Sequence, residues 1–214
     1  FDAAFLEEIS KMKEKNIAIE LLKKLLAERV TIYQKTNLVQ AEKFSDLLNR
    51  ALSNYLKGLL TNEEVIQELL KLAAEISESE NQGNELGLTA EEKSFYDALT
   101  KPRAVQDIYT NEQLVAMTKE LTDALRKNRT IDWQKKESAR AGMRRMIKRL
   151  LKKYKYPPEE AENALETVIH QCEQWSDNDS DEYSINESTQ KYNFQQSYYS
   201  IAADEIHEGY NKKL

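Results

Sequence analysis

Catalysis usually draws on imidazole, thiol, carboxylate or amine groups held at fixed spacing, and this chain of 214 residues has one cysteine, Cys172, and two histidines, His170 and His207. Residues two apart on a helix point to different faces, so His170 and Cys172 do not read as two ligands of one zinc ion. Nothing in the sequence groups a nucleophile with a base and an orienting acid. A nucleotide-hydrolysing site needs a glycine-rich turn whose amides cradle phosphates, followed by Lys-Ser or Lys-Thr, and none of the 5 glycines has that continuation. Glu91-Glu92-Lys93 holds carboxylates and a lysine of the kind that grip a metal ion against a phosphate. The same stretch, as Thr89-Ala90-Glu91-Glu92, has the spacing of a helix-capping box, in which the Thr hydroxyl accepts from an amide three residues on and the Glu reaches back. We take the capping reading, and expect the segment to be non-catalytic with no cofactor or metal of its own.

The positive signal is a run of cations. Lys136, Arg140, Arg144, Lys148 and Lys152 recur every four residues, with Arg145, Arg149 and Lys153 beside them, while Met143, Met146, Ile147, Leu150, Leu151 and Tyr154 line another face. At 1.5 Å per residue this places about eight cations along roughly 25 Å of helix, a geometry that a phosphate backbone can meet. Glu137 is the only acid between Lys135 and Lys155. The net charge of −6 conceals this polarity: residues 101–155 carry 16 Lys and Arg against 6 Asp and Glu, whereas residues 156–214 carry 3 against 13. Local potential steers a polyanion more than the overall charge does. Contacts of this kind would be to DNA phosphates and sequence-independent. The same charge pattern also suits a solvated bundle face, or a face neutralised by an acidic partner or by the chain's own acidic segments. Trp133 and Trp175 are candidate partner-interface residues, with burial in the core as the alternative for each.

These residues need helices to position them. Only 5 Gly and 3 Pro accompany 32% charged and 40% hydrophobic residues, which specifies an all-α, multi-helix bundle. Ile17, Leu21, Leu22, Leu25 and Leu26 form one apolar stripe; Phe44, Leu47, Leu48, Ala51 and Tyr55 form a second. Gly58 reads as a helix stop, and capping boxes at Thr61–Glu64, Thr89–Glu92 and Thr110–Gln113 start three further helices. Their inward faces are Val65, Leu69 and Leu72, then Phe95, Tyr96 and Leu99, then Leu114, Met117, Leu121 and Leu125. Ser77–Gly87 lacks periodicity and is expected to be a hinge. We therefore divide the chain into a helical subdomain over 1–80, a second over 81–175 containing the basic helix at 132–154, and an acidic, partly flexible tail over 176–214. Asp132 should favour the positive start of the basic helix, and Tyr156-Pro157-Pro158 must end it before another helix runs to about Trp175. Beyond that, 176–190 reads as a linker and 191–209 as a weak helix. The absence of a bilayer-length apolar run, of a signal peptide and of paired cysteines points to the cytoplasm, away from membranes. The Phe at position 1 suggests a segment of a longer polypeptide.

Three runs together resemble a known family. Asn37-Leu38-Val39-Gln40 with Phe44-Ser45 and Leu47-Leu48 is the first. Leu88 with Glu91 and Phe95-Tyr96-Asp97-Ala98-Leu99 is the second. The third is Ile131-Asp132-Trp133-Gln134-Lys135-Lys136-Glu137, continuing through Arg144 and Lys148-Arg149-Leu150-Leu151 to Tyr154-Lys155-Tyr156-Pro157-Pro158. In this order, over roughly residues 15–175, they resemble the C-terminal helical region of the motor (R) subunit of type I restriction enzymes. The resemblance implies a helical module joining an ATP- and Mg-dependent, DNA-cleaving and DNA-translocating parent to the methyltransferase core of modification and specificity subunits. It assigns no catalytic residue here, and residues 176–214 match nothing in it.

Overall fold

Where each helix begins is decided by a few side chains. The computed structural model describes residues 3–130 and 133–182. Thr61, Thr89 and Thr110 each accept from the amide three residues on, and Glu64, Glu92 and Gln113 reach back to the cap backbone, so all three capping boxes form. A fourth start was not anticipated: Asn37 ends α2 (Lys15–Thr36) and its side chain caps α3 (Leu38–Leu56) by accepting from Gln40 N. Ahead of these lies α1 (Ala3–Ser10); the three boxes open α4 (Asn62–Glu85), α5 (Ala90–Thr100) and α7 (Asn111–Asn128), with the short α6 (Arg103–Ile108) between the last two. A single 3-10 turn, Trp133–Lys135, precedes α8 (Glu137–Lys153), and α9 (Pro158–Glu182) closes the described chain. No strand occurs among the described residues, and the fold is all-α.

Helix ends follow an equally simple rule. After α3, Gly58 adopts φ +71°, and Leu59 N then reaches Asn54 O while Gly58 N reaches Tyr55 O. Gly87, at φ +62°, repeats the pattern after α4 through Leu88 N to Gly83 O and Gly87 N to Asn84 O. These pairs satisfy carbonyls that the helix leaves open, and only a left-handed residue allows the chain to turn back so tightly.

Residues 1–178 form one compact unit, in which buried apolar side chains gather in two clusters. One is built from α1 to α4 around Leu22, Leu26, Phe44, Ile66, Leu69 and Ile76. The other is built from α5 to α9 around Phe95, Leu99, Met117, Leu121, Trp133, Ile147 and Leu165.

Three expectations need correction. The hinge at Ser77–Gly87 is helical through Glu85, because Ile76 and Gly83 are buried and Glu80 pairs with Arg29; only Leu86-Gly87 turns. Ile17 is half exposed, and the inner face of α2 is Ala18, Ile19, Leu22, Leu26 and Val30 instead. The last helix does not stop near Trp175 but continues to Glu182, taking in the first residues of the expected linker. Asp132 and the expected elements beyond Glu182 lie outside the described residues.

Candidate nucleic-acid interface

The side chains of α8 sort into three directions once the helix is seated. Its core face is Met143, Ile147, Leu150 and Leu151, all buried, with Met146 and Tyr154 partly so. Glu137 at its start and Lys152 and Lys153 at its end complement the helix dipole. The helix begins at Glu137 rather than 132, and Lys136 precedes it without a side-chain cap.

One flank of α8 faces α9, and here three cations meet three carboxylates in antiparallel order. Arg140 Nη1 lies 2.7 Å from Glu173 Oε1. Arg144 grips Glu166 with both terminal nitrogens, the Nη2 to Oε2 contact being 3.0 Å. Lys148 Nζ lies 3.0 Å from Glu162 Oε2. The hydrogen bonds from Arg144 hold the Glu166 carboxyl below the usual carboxylate range, and Glu166 in turn raises the guanidinium. Arg140, Arg144 and Lys148, the middle of the four-residue repeat, are thus neutralised within the chain.

The opposite flank meets α7. Lys153 Nζ contacts Glu120 Oε1 at 2.5 Å, and Tyr154 donates its phenol to Glu120 Oε2 at 2.7 Å. Hydrogen bonds from Lys153 and Tyr154 lower the Glu120 carboxyl, while donation to that carboxylate, with some burial, pushes the Tyr154 phenol up to about 12.

Between the flanks, pointing away from the core, are Arg145, Arg149 and Lys152, all exposed. They form no ion pair among the described residues, and neither does the exposed Lys136 just before the helix. Of the eight cations singled out by spacing, four therefore have no ion pair among the described residues, and Arg140, Arg144, Lys148 and Lys153 are paired. The i, i+4 repeat alone could not show this, since the pairing depends on which flank each residue takes and on what α7 and α9 place there.

Of the two tryptophans, Trp133 belongs to the interior and Trp175 is partly buried. Trp133 is 1% exposed within the second cluster, and its indole donates to Ser176 Oγ at 3.0 Å. Trp175 packs partly buried on the same cluster and donates to Ser94 Oγ at 2.9 Å. The carboxylates of Glu91-Glu92-Lys93 are also occupied elsewhere. Glu91 pairs with Arg126 at 2.7 Å and Arg129 at 3.5 Å, Glu92 completes the cap, and Lys93 is buried against Asp97. Cys172 is buried, which pushes its thiol up to about 12, and His170 is exposed on another face of α9. No group of three or more potential metal ligands occurs among the described residues, and no described helix is long and apolar enough to cross a membrane.

Spacing gave no sign of a polar node that joins the early helices to the late ones. Asp97 Oδ2 accepts from Asn37 Nδ2 at 2.7 Å and Gln40 Nε2 at 3.0 Å, while its other oxygen holds Lys93. Gln171, fully buried, accepts from Leu38 N at 2.8 Å and donates to Thr36 O at 3.1 Å. Asn37, Gln40 and Asp97 are residues of the runs that carry the family resemblance, so those runs mark a packing junction.

The sequence that builds this helical unit has named relatives. The family described as type I restriction enzyme HindI endonuclease subunit-like, C-terminal, matches residues 1–178, and the chain belongs to it. Over 170 residues the chain is 38% identical to the type I restriction enzyme HindI endonuclease subunit of Haemophilus influenzae, covering 79% of this chain and 16% of that protein. Over 150 residues it is 31% identical to the putative type I restriction enzyme MjaIXP endonuclease subunit of Methanocaldococcus jannaschii, covering 70% and 14%. The chain thus spans less than a fifth of the length of these relatives. No solved structure matches it.

Proposed function

We propose that this domain is a non-catalytic assembly and DNA-contact module of a type I restriction endonuclease subunit. It links the DNA-translocating motor to the methyltransferase core of modification and specificity subunits in the cytoplasm, and it meets DNA phosphates without sequence preference through α8. ATP and Mg chemistry belongs to other parts of the parent subunit. The observation that carries the reading is the outward face of α8, where Arg145, Arg149 and Lys152 stand exposed with no ion pair among the described residues. Lys136 extends the same unpaired charge toward the helix start.

If these four cations each meet a phosphate, log affinity for duplex DNA falls with log salt at a slope near −3.6, about −0.9 per contact. Fluorescence anisotropy of the chain with a short labelled duplex, repeated across salt concentrations, measures that slope. Replacing Arg145, Arg149 and Lys152 with Ala should flatten it by up to about 2.7. A second reading, a protein-interaction scaffold whose basic helix docks an acidic partner, is favoured by the readiness with which α8 already accepts carboxylates from α7 and α9. Absence of DNA binding at low salt, with capture of a methyltransferase subunit that the triple alanine variant loses, would establish the scaffold in its place.

A further inference from the structure

Two cations on the α9 flank of α8 border its outward face. Lys148 is three residues from Arg145 and four from Lys152, so on a helix surface it neighbours both, and Arg144 lies beside Arg145. Yet Lys148 and Arg144 are held by Glu162 and Glu166. A carboxylate presents to a guanidinium or ammonium the same paired anionic oxygens as a phosphate does. We propose that Glu162 and Glu166 act as an internal phosphate mimic, occupying Lys148 and Arg144 and withholding them from the backbone of duplex DNA lying along α8. The proposal rests on the DNA-contact reading and adds to it a device that limits affinity and footprint.

The three rungs differ in how firmly they hold their cations. Lys148 and Glu162 have side chains 57% and 65% exposed, and an ion pair so open to water has little net strength. Arg144 and Glu166, at 35% and 40%, are intermediate and bidentate. Arg140 and Glu173, at 37% and 23%, are the most enclosed, and Gln134 Nε2 also donates to the Glu173 carbonyl at 3.0 Å, fixing this end. Removal of the carboxylates therefore frees Lys148 most readily and Arg144 next, while Arg140 remains with α9.

The test uses the 214-residue chain with Glu162→Gln, Glu162→Gln/Glu166→Gln, and Glu159→Gln, the last an equal charge change at an exposed α9 residue outside the ladder. The expected result is duplex affinity about two- to fivefold tighter at low salt for the single ladder variant. Its salt slope should be steeper by about 0.9, and that of the double variant by up to about 1.8. Glu159→Gln should leave the slope unchanged. Tighter binding at an unaltered slope, or equal gains from Glu159→Gln, would reduce the effect to long-range charge and overturn the mimic. Wild-type binding that neither ladder variant changes would overturn it while leaving the DNA-contact reading intact. If wild type fails to bind and the double variant binds, the ladder masks the site completely and the proposal stands; if neither binds, both readings fall. Glu162 is exposed enough that its single variant tests the idea even where the double variant perturbs α9 packing.

Discussion

Lys155 sits at φ 58°, the left-handed region that an L side chain enters at a cost of roughly 1 kcal/mol. It does so because Tyr156 N must reach Leu151 O and Lys155 N must reach Lys152 O, the turn that Gly58 and Gly87 make without strain. Lys155→Gly should therefore raise stability by about 0.5–1 kcal/mol in urea denaturation, after allowance for glycine's freer unfolded chain. Tyr156-Pro157-Pro158 announced that the helix had to end, but nothing in the sequence said which residue would take the strained position. Asp97 is costly to lose for a different reason. With side chains only 10% and 7% exposed, Lys93 and Asp97 neutralise each other out of water, and Asp97→Ala would leave a buried ammonium unpaired, at about 3–5 kcal/mol. Lys101→Ala, which breaks an exposed pair with Glu42, should cost under about 1 kcal/mol by the same measurement. Lys93 and Asp97 have the i, i+4 spacing of a surface pair. Their burial was hidden because α5 is buried on every side from Lys93 to Thr100, which erases the period that sequence reading depends on.

At the scale of elements, the best-read helices are those with one apolar face and a capped start. The inward residues of α7, Leu114, Met117, Leu121 and Leu125, are all buried as their spacing required. The late part of α4 was misread because its polar residues resemble a loop, whereas the helix is held by burial at Gly83, where an added Cβ would stand 3.4 Å from the Lys93 side chain. That contact comes from another helix and has no local signature. The α7–α8 junction gives a prediction with pH. An unfolded tyrosine ionises near 10, while donation to Glu120 pushes Tyr154 up to about 12. A folded-state value above the unfolded one means that the contribution is fully present below about pH 10 and is lost as pH rises toward 12. The stability difference between wild type and Tyr154→Phe should thus be constant from neutral pH to about 10 and shrink across that window in denaturant titrations. A difference that held level through pH 12 would remove Glu120 as the cause.

For the molecule as a whole, the periodic pattern located most of the faces that build the two apolar clusters, and left unseen what fastens one to the other. The fastening is polar, made by Asn37 and Asp97 across 60 residues and by Gln171 and Thr36 across 135. Hydrogen bonds at that separation carry no mark in composition or spacing. They also predict cooperativity. Both tryptophans, Trp133 and Trp175, belong to the second cluster, whereas the far-ultraviolet dichroism reports every helix. Fluorescence and dichroism should trace coincident unfolding curves, and an earlier dichroism transition would mean that α1 to α4 melt alone. Gln171 has a consequence for the order of synthesis too. The junction of α2 with α3 needs a side chain translated 133 residues after Leu38. Chains emerging from a ribosome fold from the amino terminus onward, so the first four helices can pack early while their own central joint waits, unsealed, for α9 to arrive.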